Sequence, residues 1–143
     1  MVATRAIAAG ETVLKTWGQK TTQRSRHTIQ VDRQTHLVPD GMAVLLSHSC
    51  SPTCGVVIRS GVTQIEVRAL RPIAAGEEIT VDYETFEEDV AHFGGPCRCG
   101  AASCRGRIVG YRHLPNDVKA RYGEYIAEYL RILDSEISLP AGV

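Results

Sequence analysis

A mainly β fold closed by a C-terminal α-helix is what this sequence predicts. Short runs rich in β-branched residues, separated by Gly and Pro, fill the first half. A cysteine-rich stretch with little apolar periodicity follows, and the C-terminal part repeats apolar residues at three- and four-residue steps. At 143 residues the chain can bury one core, not two. Its 43% apolar and 22% charged residues are ordinary for a globular domain.

The β-rich runs lie at residues 12–14, 28–31, 55–59, 63–70 and 78–82, several with alternating apolar positions. Ser60-Gly61 separates two of them and suits a tight hairpin turn. Many short strands favour a mainly β architecture over a parallel α/β one. The segment Arg5-Ala6-Ile7-Ala8-Ala9-Gly10-Glu11 returns as Arg71-Pro72-Ile73-Ala74-Ala75-Gly76-Glu77, each copy placing Gly where a turn between strands needs positive φ. Two copies are too few for a solenoid and predict two similar strand–turn–strand units. Further on, Asn116 is placed to cap a helix, with Pro115 just before it. Val118, Tyr122, Tyr125, Ile126, Tyr129, Leu130 and Leu133 form its apolar face, which core packing explains and a dimer contact would also use. The end from Pro140 predicts a frayed terminus.

Composition narrows the function classes. Sixteen basic residues balance sixteen acidic ones, so there is no concentrated basic surface for direct nucleic-acid binding. The longest apolar stretches, such as Met42 to Leu46, fall far short of a bilayer crossing, and no membrane role is expected. The N-terminus lacks the continuous apolar core of a signal peptide, which predicts a cytoplasmic, reducing location. Five cysteines cannot all pair within the chain. Cys97, Cys99 and Cys104 fall within eight residues and Cys50 and Cys54 lie together, a clustering that points to metal. A structural zinc site is closed by four protein ligands. The local segment supplies three, leaving Cys50, Cys54 and His92 as candidates for the fourth. Free thiols in a loop are the alternative.

Three separated stretches then form a larger pattern. They are Ser47-His48-Ser49-Cys50-Ser51-Pro52, the run Arg71-Pro72-Ile73-Ala74-Ala75-Gly76-Glu77-Glu78-Ile79-Thr80-Val81-Asp82-Tyr83, and the cysteine cluster followed by Arg105-Gly106. Together they resemble the SET-domain protein-lysine methyltransferases with a post-SET zinc segment, over about residues 2 to 110. The tail from Gly110 to Leu133 is similar to that of short bacterial and fungal members. The resemblance implies a SET β-clip of short strands with a pseudo-knot at 1–93, a zinc-bound post-SET loop at 94–108 and a helical tail at 109–143. It implies S-adenosylmethionine-dependent methyl transfer to a lysine of a protein or basic peptide. Tyr83 matches the catalytic tyrosine beside the cofactor, Ser47 and His48 the pair that contacts the cofactor largely through backbone, and Thr4 and Arg5 a further cofactor segment. Cys50 matches the zinc ligand that joins Cys97, Cys99 and Cys104, while Cys54 matches a small buried residue. His48 is read as structural, and Phe86 or Phe93 as a wall of the lysine channel or a cover for the cofactor. His27, His36, His92 and His113 share no ligand spacing and read as ordinary residues.

Such a reaction is an in-line displacement, so alignment supplies much of its rate. The amine must be neutral, yet a lysine of pKa about 10.4 is almost wholly charged near neutral pH. A narrow aromatic channel disfavours the ammonium by desolvation. Glu84, Glu87, Glu88 and Asp89 after Tyr83 form either an acidic rim that favours a basic peptide or a solvated acidic loop. The chain also departs from the family. Ser47, Thr53 and Val44 stand where Asn, Asn and Arg are usual, and His27 where a Tyr is expected; each change removes buried hydrogen bonds of about 1 kcal/mol. No Gly-x-Gly turn precedes Val2-Ala3-Thr4-Arg5 within these residues, which leaves either a displaced start or a cofactor site short of one wall. An active lysine methyltransferase therefore competes with a catalytically weak scaffold acting as a zinc-stabilised binding module, and with transfer to a small amine. A domain this small with a helical tail would also suit a homodimer.

Overall fold

The computed structural model describes residues 1–90 and 96–138; His92, Phe93 and the Pro140 end, with the expectations placed on them, lie outside. Seven strands are present among the described residues: β1 (Thr12–Thr21), β2 (Ile29–Gln30), β3 (His36–Pro39), β4 (Ser47–His48), β5 (Cys54–Ile58), β6 (Gln64–Ala69) and β7 (Thr80–Val81). Five of them form an antiparallel sheet in the order β2-β3-β1-β6-β5, and β4 pairs with β7 in parallel. The fold is mainly β, as the sequence predicts. The β5–β6 hairpin sets Val56 opposite Val67 and Ile58 opposite Ile65, so one face of both strands enters the core. Its turn has Gly61 at φ 77°.

Two strands exceed the expectation. β1 runs far past Leu14, through a polar stretch that reads weakly as strand, because it pairs with β6 up to Trp17 and with β3 from Gly18 on. Gly18 permits that contact: a Cβ there would lie 2.7 Å from the Val38 carbonyl oxygen. β3 itself, short and ending in Pro39, carries too little signal to be read from sequence.

The internal echo forms a paired clip. Ile7 and Ile73 exchange backbone hydrogen bonds of 2.8 and 2.9 Å. The Gly76 amide donates to the Ala3 carbonyl at 2.7 Å and the Gly10 amide to the Ala69 carbonyl at 2.8 Å, equivalent bonds in the two copies. Each copy closes its turn with a Gly at φ above 80° and an Arg–Glu pair, Arg5 with Glu11 and Arg71 with Glu77. The clip seats the N-terminal segment beside the chain leading into β7: the Ile79 amide donates to the Met1 carbonyl at 2.9 Å.

The tail corrects one expectation. The single helix is two, α1 (Asn116–Tyr122) and α2 (Glu128–Ser138), joined by a 3-10 turn at Gly123–Tyr125. Gly123, at φ 53°, ends α1, and Pro115, not Asn116, occupies the cap position. The break lets Tyr125 lie flat against Gly55 of β5, where a Cβ would stand 2.6 Å from the ring. It also lets Ile126, Tyr129 and Leu130 reach the core. The Ala127 amide donates to the Thr85 carbonyl at 2.9 Å and the Tyr129 hydroxyl to the Phe86 carbonyl at 2.5 Å, which ties the tail to the stretch after Tyr83. No helix among the described residues is long and apolar enough to cross a membrane.

A buried charge cluster locks these parts together. Asp82, just after β7, is fully buried; both of its oxygens accept from Arg105 Nη2 (2.7 and 2.8 Å), and it also accepts from the Tyr122 hydroxyl (2.7 Å) and the Glu84 amide (3.0 Å). Glu84 accepts from Arg105 Nε at 2.9 Å and from the Val109 and Gly110 amides at 3.1 and 2.7 Å. One guanidinium thus serves two buried carboxylates, and every remaining lone pair direction meets an amide or hydroxyl. Glu84 and Glu87 are therefore core groups, which removes half of the expected acidic rim; Glu88 is half-buried and Asp89 exposed.

Two outcomes test this architecture. Arg105→Met leaves Asp82 and Glu84 buried without a countercharge, and denaturant unfolding is expected to show a loss of about 3–5 kcal/mol. Gly110→Ala forces a side chain onto φ 116° with its Cβ 2.5 Å from the Glu88 carbonyl oxygen, and is expected to cost about 3 kcal/mol or more.

Candidate active site and metal centre

The chain brings four of its five cysteines to one point. The Sγ atoms of Cys50, Cys97, Cys99 and Cys104 all lie within 4.8 Å of one another, Cys50 and Cys97 at 3.9 Å. Four sulfurs about 2.3 Å from a common centre stand about 3.8 Å apart, so the set fits a tetrahedral thiolate site. Backbone amides support it: Cys50 N–H points at Cys99 Sγ (3.5 Å), Arg105 N–H at Cys50 Sγ (3.5 Å) and Gly106 N–H at Cys104 Sγ (3.4 Å). Such donors favour thiolate over thiol and fix the ligands' directions. Burial pushes the Cys50 and Cys97 thiols up. Burial acts the same way on Cys99, but the Cys50 and Ala101 amides with the neighbouring thiols outweigh it and bring Cys99 down to about 6. Cys54 is fully buried in β5, near the Thr53 hydroxyl and outside the four-sulfur group. Of the candidates for a fourth ligand, Cys50 stands in the four-sulfur group and Cys54 outside it, while His92 lies outside the described residues.

His48 joins this centre to Tyr83. Its Nδ1 accepts the Tyr83 amide at 3.1 Å, which leaves the ring proton on Nε2, 3.4 Å from Cys50 Sγ. Burial lowers its pKa against the pull of Asp82, so the ring stays neutral. A neutral imidazole committed at both nitrogens is structural. The β4–β7 pairing sets this geometry, with Ser47 opposite Thr80 and His48 opposite Val81. Thr53, where the family's Asn is usual, is buried and fully used: its hydroxyl donates to the Glu78 carbonyl (3.1 Å) and accepts from the Thr80 amide (3.0 Å).

Tyr83 follows β7 and lines a small cavity of about 40 Å³. Its hydroxyl donates to the Leu46 carbonyl at 2.6 Å, and its ring lies 5.9 Å from Phe86 and 5.3 Å from His48, centre to centre. Burial raises the phenol's pKa, so it remains protonated near neutral pH. A phenol donating to Leu46 acts towards an amine only as acceptor. Val44, Leu46, Val81 and Phe86 make the walls largely apolar, and Arg26, His27, Thr28 and Glu87 add polar groups to them. Ser47 is exposed on β4 beside this region. Thr4 and Arg5 are also exposed, and the Arg5 guanidinium bonds to Glu11 and the Ala6 carbonyl. Sequence reading did not single out Arg105 as a structural centre or Glu87 as a cavity residue. The one available signal for Glu87 was its place between Phe86 and Val90, an acidic residue inside an apolar-flanked turn.

The SET domain family pattern matches residues 1–84. A protein of Yarrowia lipolytica named histone-lysine N-methyltransferase, H3 lysine-4 specific, is 39% identical over 70 residues, covering 48% of this chain and 6% of that protein. A protein of the same name in Emericella nidulans is 29% identical over 120 residues, covering 70% of this chain and 10% of its own length. The chain thus spans a small fraction of the relatives it matches. Among solved structures, KRYPTONITE in complex with mCHH DNA, an H3(1-15) peptide and SAH superposes with a TM-score of 0.61 at 23% identity, over 75% of this chain and 26% of that one. The methyltransferase domain of human SETMAR superposes at 0.58 and 22% identity, over 75% and 52%. With a fold of this kind and a family pattern across more than half its length, the chain belongs to the SET-domain family.

Proposed function

We propose that this chain transfers a methyl group from S-adenosylmethionine to the side chain of a protein lysine. The observation that carries the reading is the Tyr83 hydroxyl, bonded to the Leu46 carbonyl inside an apolar cavity at the β4–β7 pairing. Family membership gives this geometry its chemical meaning. Ser47, His48 and the N-terminal segment with Thr4 and Arg5 would hold the cofactor, which supplies an electrophilic methyl group on a sulfonium. Tyr83 directs the amine lone pair by accepting an N–H, and its ring with Phe86 confines the alkyl chain. The low polarity of the cavity disfavours the ammonium, which offsets part of the unfavourable proton balance of a free lysine.

The substrate class follows from the same features. A lysine in a basic, flexible segment suits a narrow slot, the class to which the histone H3 lysine named in the relatives belongs. With Glu84 and Glu87 inside, attraction for such a segment rests on Glu88 and Asp89. We further propose that Cys50, Cys97, Cys99 and Cys104 hold one structural zinc. Residues 94–108 then form a post-SET segment and 109–143 a tail, on a core of 1–93, and a thiolate centre of this kind fits a reducing cytoplasm.

Tyr83→Phe is expected to keep the fold and cofactor binding while lowering turnover on a lysine peptide about a hundredfold or more. Undiminished turnover would refute the role. Metal analysis is expected to find one zinc per chain, lost in Cys50→Ser and retained in Cys54→Ser. Equal zinc in both variants would break the ligand assignment.

A further inference from the structure

Glu87 lines the same cavity as Tyr83 and Phe86, yet nothing in the methyl-transfer reading uses it. Its side chain is only 3% exposed. One oxygen, Oε1, accepts the Gln30 amide at 3.3 Å. The other, Oε2, is buried with no hydrogen-bond partner among the described residues. The nearest cation is Arg24, whose Nε stands 3.8 Å away, too far for a hydrogen bond. The Arg24 guanidinium is committed elsewhere, Nη1 to the Asp89 carbonyl at 2.5 Å and Nη2 to Gln30 Oε1 at 3.0 Å. A buried carboxylate oxygen without a partner costs stability, and such groups persist where a ligand completes them.

We propose that Glu87 is the ammonium receptor of this cavity, its carboxylate receiving the charged end of the substrate lysine. The proposal rests on the methyl-transfer reading for the identity of the cation, but not for the existence of the site. The cavity walls are mostly apolar, with Arg26, His27, Thr28 and Tyr83 as further polar lining, and Glu87 is the one carboxylate among the lining residues, which suits an alkyl chain ending in a cation. Norleucine, of similar length without charge, would fill the apolar part and leave Oε2 unpaired. In so apolar a setting the ion pair can relax to a neutral acid–amine pair. One N–H bond then breaks, the proton moves to Oε2, and the electron pair stays on nitrogen. Glu87 thereby reconciles a lysine that arrives charged with a reaction that needs it neutral.

Burial raises the Glu87 pKa to about 7, with Arg24 and the Gln30 amide opposing. The other ionisable groups around it are Tyr129 from α2, and Arg26, His27 and Tyr83 on the cavity wall. The carboxyl is thus charged above neutral pH and neutral below. Because the folded-state pKa lies above the unfolded one, the fold favours the protonated form, and stability from this group declines as pH rises through about 7.

The test compares wild type with Glu87→Gln, the isosteric neutral side chain. A short basic peptide containing one lysine and its norleucine counterpart are titrated by calorimetry at pH 8 and pH 5.5. Wild type is expected to prefer the lysine peptide at least tenfold at pH 8 and to lose most of that preference at pH 5.5, with Glu87→Gln showing none at either pH. Retention of the preference in Glu87→Gln, or its absence in wild type at pH 8, overturns the proposal. Thermal unfolding supplies a second readout: Glu87→Gln is expected to raise Tm at pH 8 more than at pH 5.5. A fall in Tm at pH 8 would assign Glu87 to structural pairing with Arg24 and count against the receptor. The binding readout needs no turnover, so wild type that methylates no lysine peptide yet still discriminates lysine from norleucine would sink the methyltransferase reading alone.

Discussion

The buried contact of Arg105 with Asp82 and Glu84 is the constraint on which the site depends. Asp82 adjoins Tyr83 in sequence, Arg105 follows the last cysteine of the four-sulfur group, and Tyr122 ends the first tail helix. Three stretches with no local reason to meet are held by one half-buried guanidinium and two carboxylates withdrawn from water. An arrangement of this kind contributes little net stability compared with an apolar core, since desolvation offsets most of the Coulombic gain. What it supplies is geometry, because none of its members can shift without stranding a buried charge. The backbone of Tyr83 therefore takes its position from residues far away along the chain.

His48 extends this coupling to the cysteines. Its ring accepts the Tyr83 amide on one side and faces Cys50 on the other, so the metal-type centre and the cavity share a rigid neutral imidazole. The four-sulfur centre is thus not a remote staple for a loop. It lies one ring away from the residue that would orient the substrate. Two hydrogen bonds through His48 join the backbone of Tyr83 to the Cys50 sulfur, and the Arg105 amide, 3.5 Å from that sulfur, carries the link into the loop after Pro96.

Much of this was legible in the amino-acid sequence, and the parts that were not have physical reasons. The place of Cys50 in the four-sulfur group was readable from Ser47-His48-Ser49-Cys50-Ser51-Pro52, and that of Tyr83 beside the cavity from Asp82-Tyr83, because each sits in a short contiguous motif. The β5–β6 hairpin showed in alternating apolar residues around Ser60-Gly61. The break at Gly123 was missed because the apolar spacing continues across it. The spacing records which residues are buried, while the turn is imposed by Tyr125 seeking Gly55. Glu84 and Glu87 were expected at the surface, as an acidic rim or a solvated loop, for a similar reason: sequence marks them as charged, and the groups that meet them inside, Arg105, Val109 and Gly110 for Glu84 and the Gln30 amide for Glu87, come from distant stretches. The end of β1 and all of β3 rest on pairing with each other, which no single stretch reveals.

The paired clip carries an internal reference within one molecule. Its two copies, beginning at Arg5 and at Arg71, differ at a single position, Ala6 against Pro72, and their backbone bonds correspond one to one. Proline restricts the unfolded chain at that point, so the second copy surrenders less freedom on folding than the first. Of two otherwise matched arms, the one leading into β7 and Tyr83 is the better prepared.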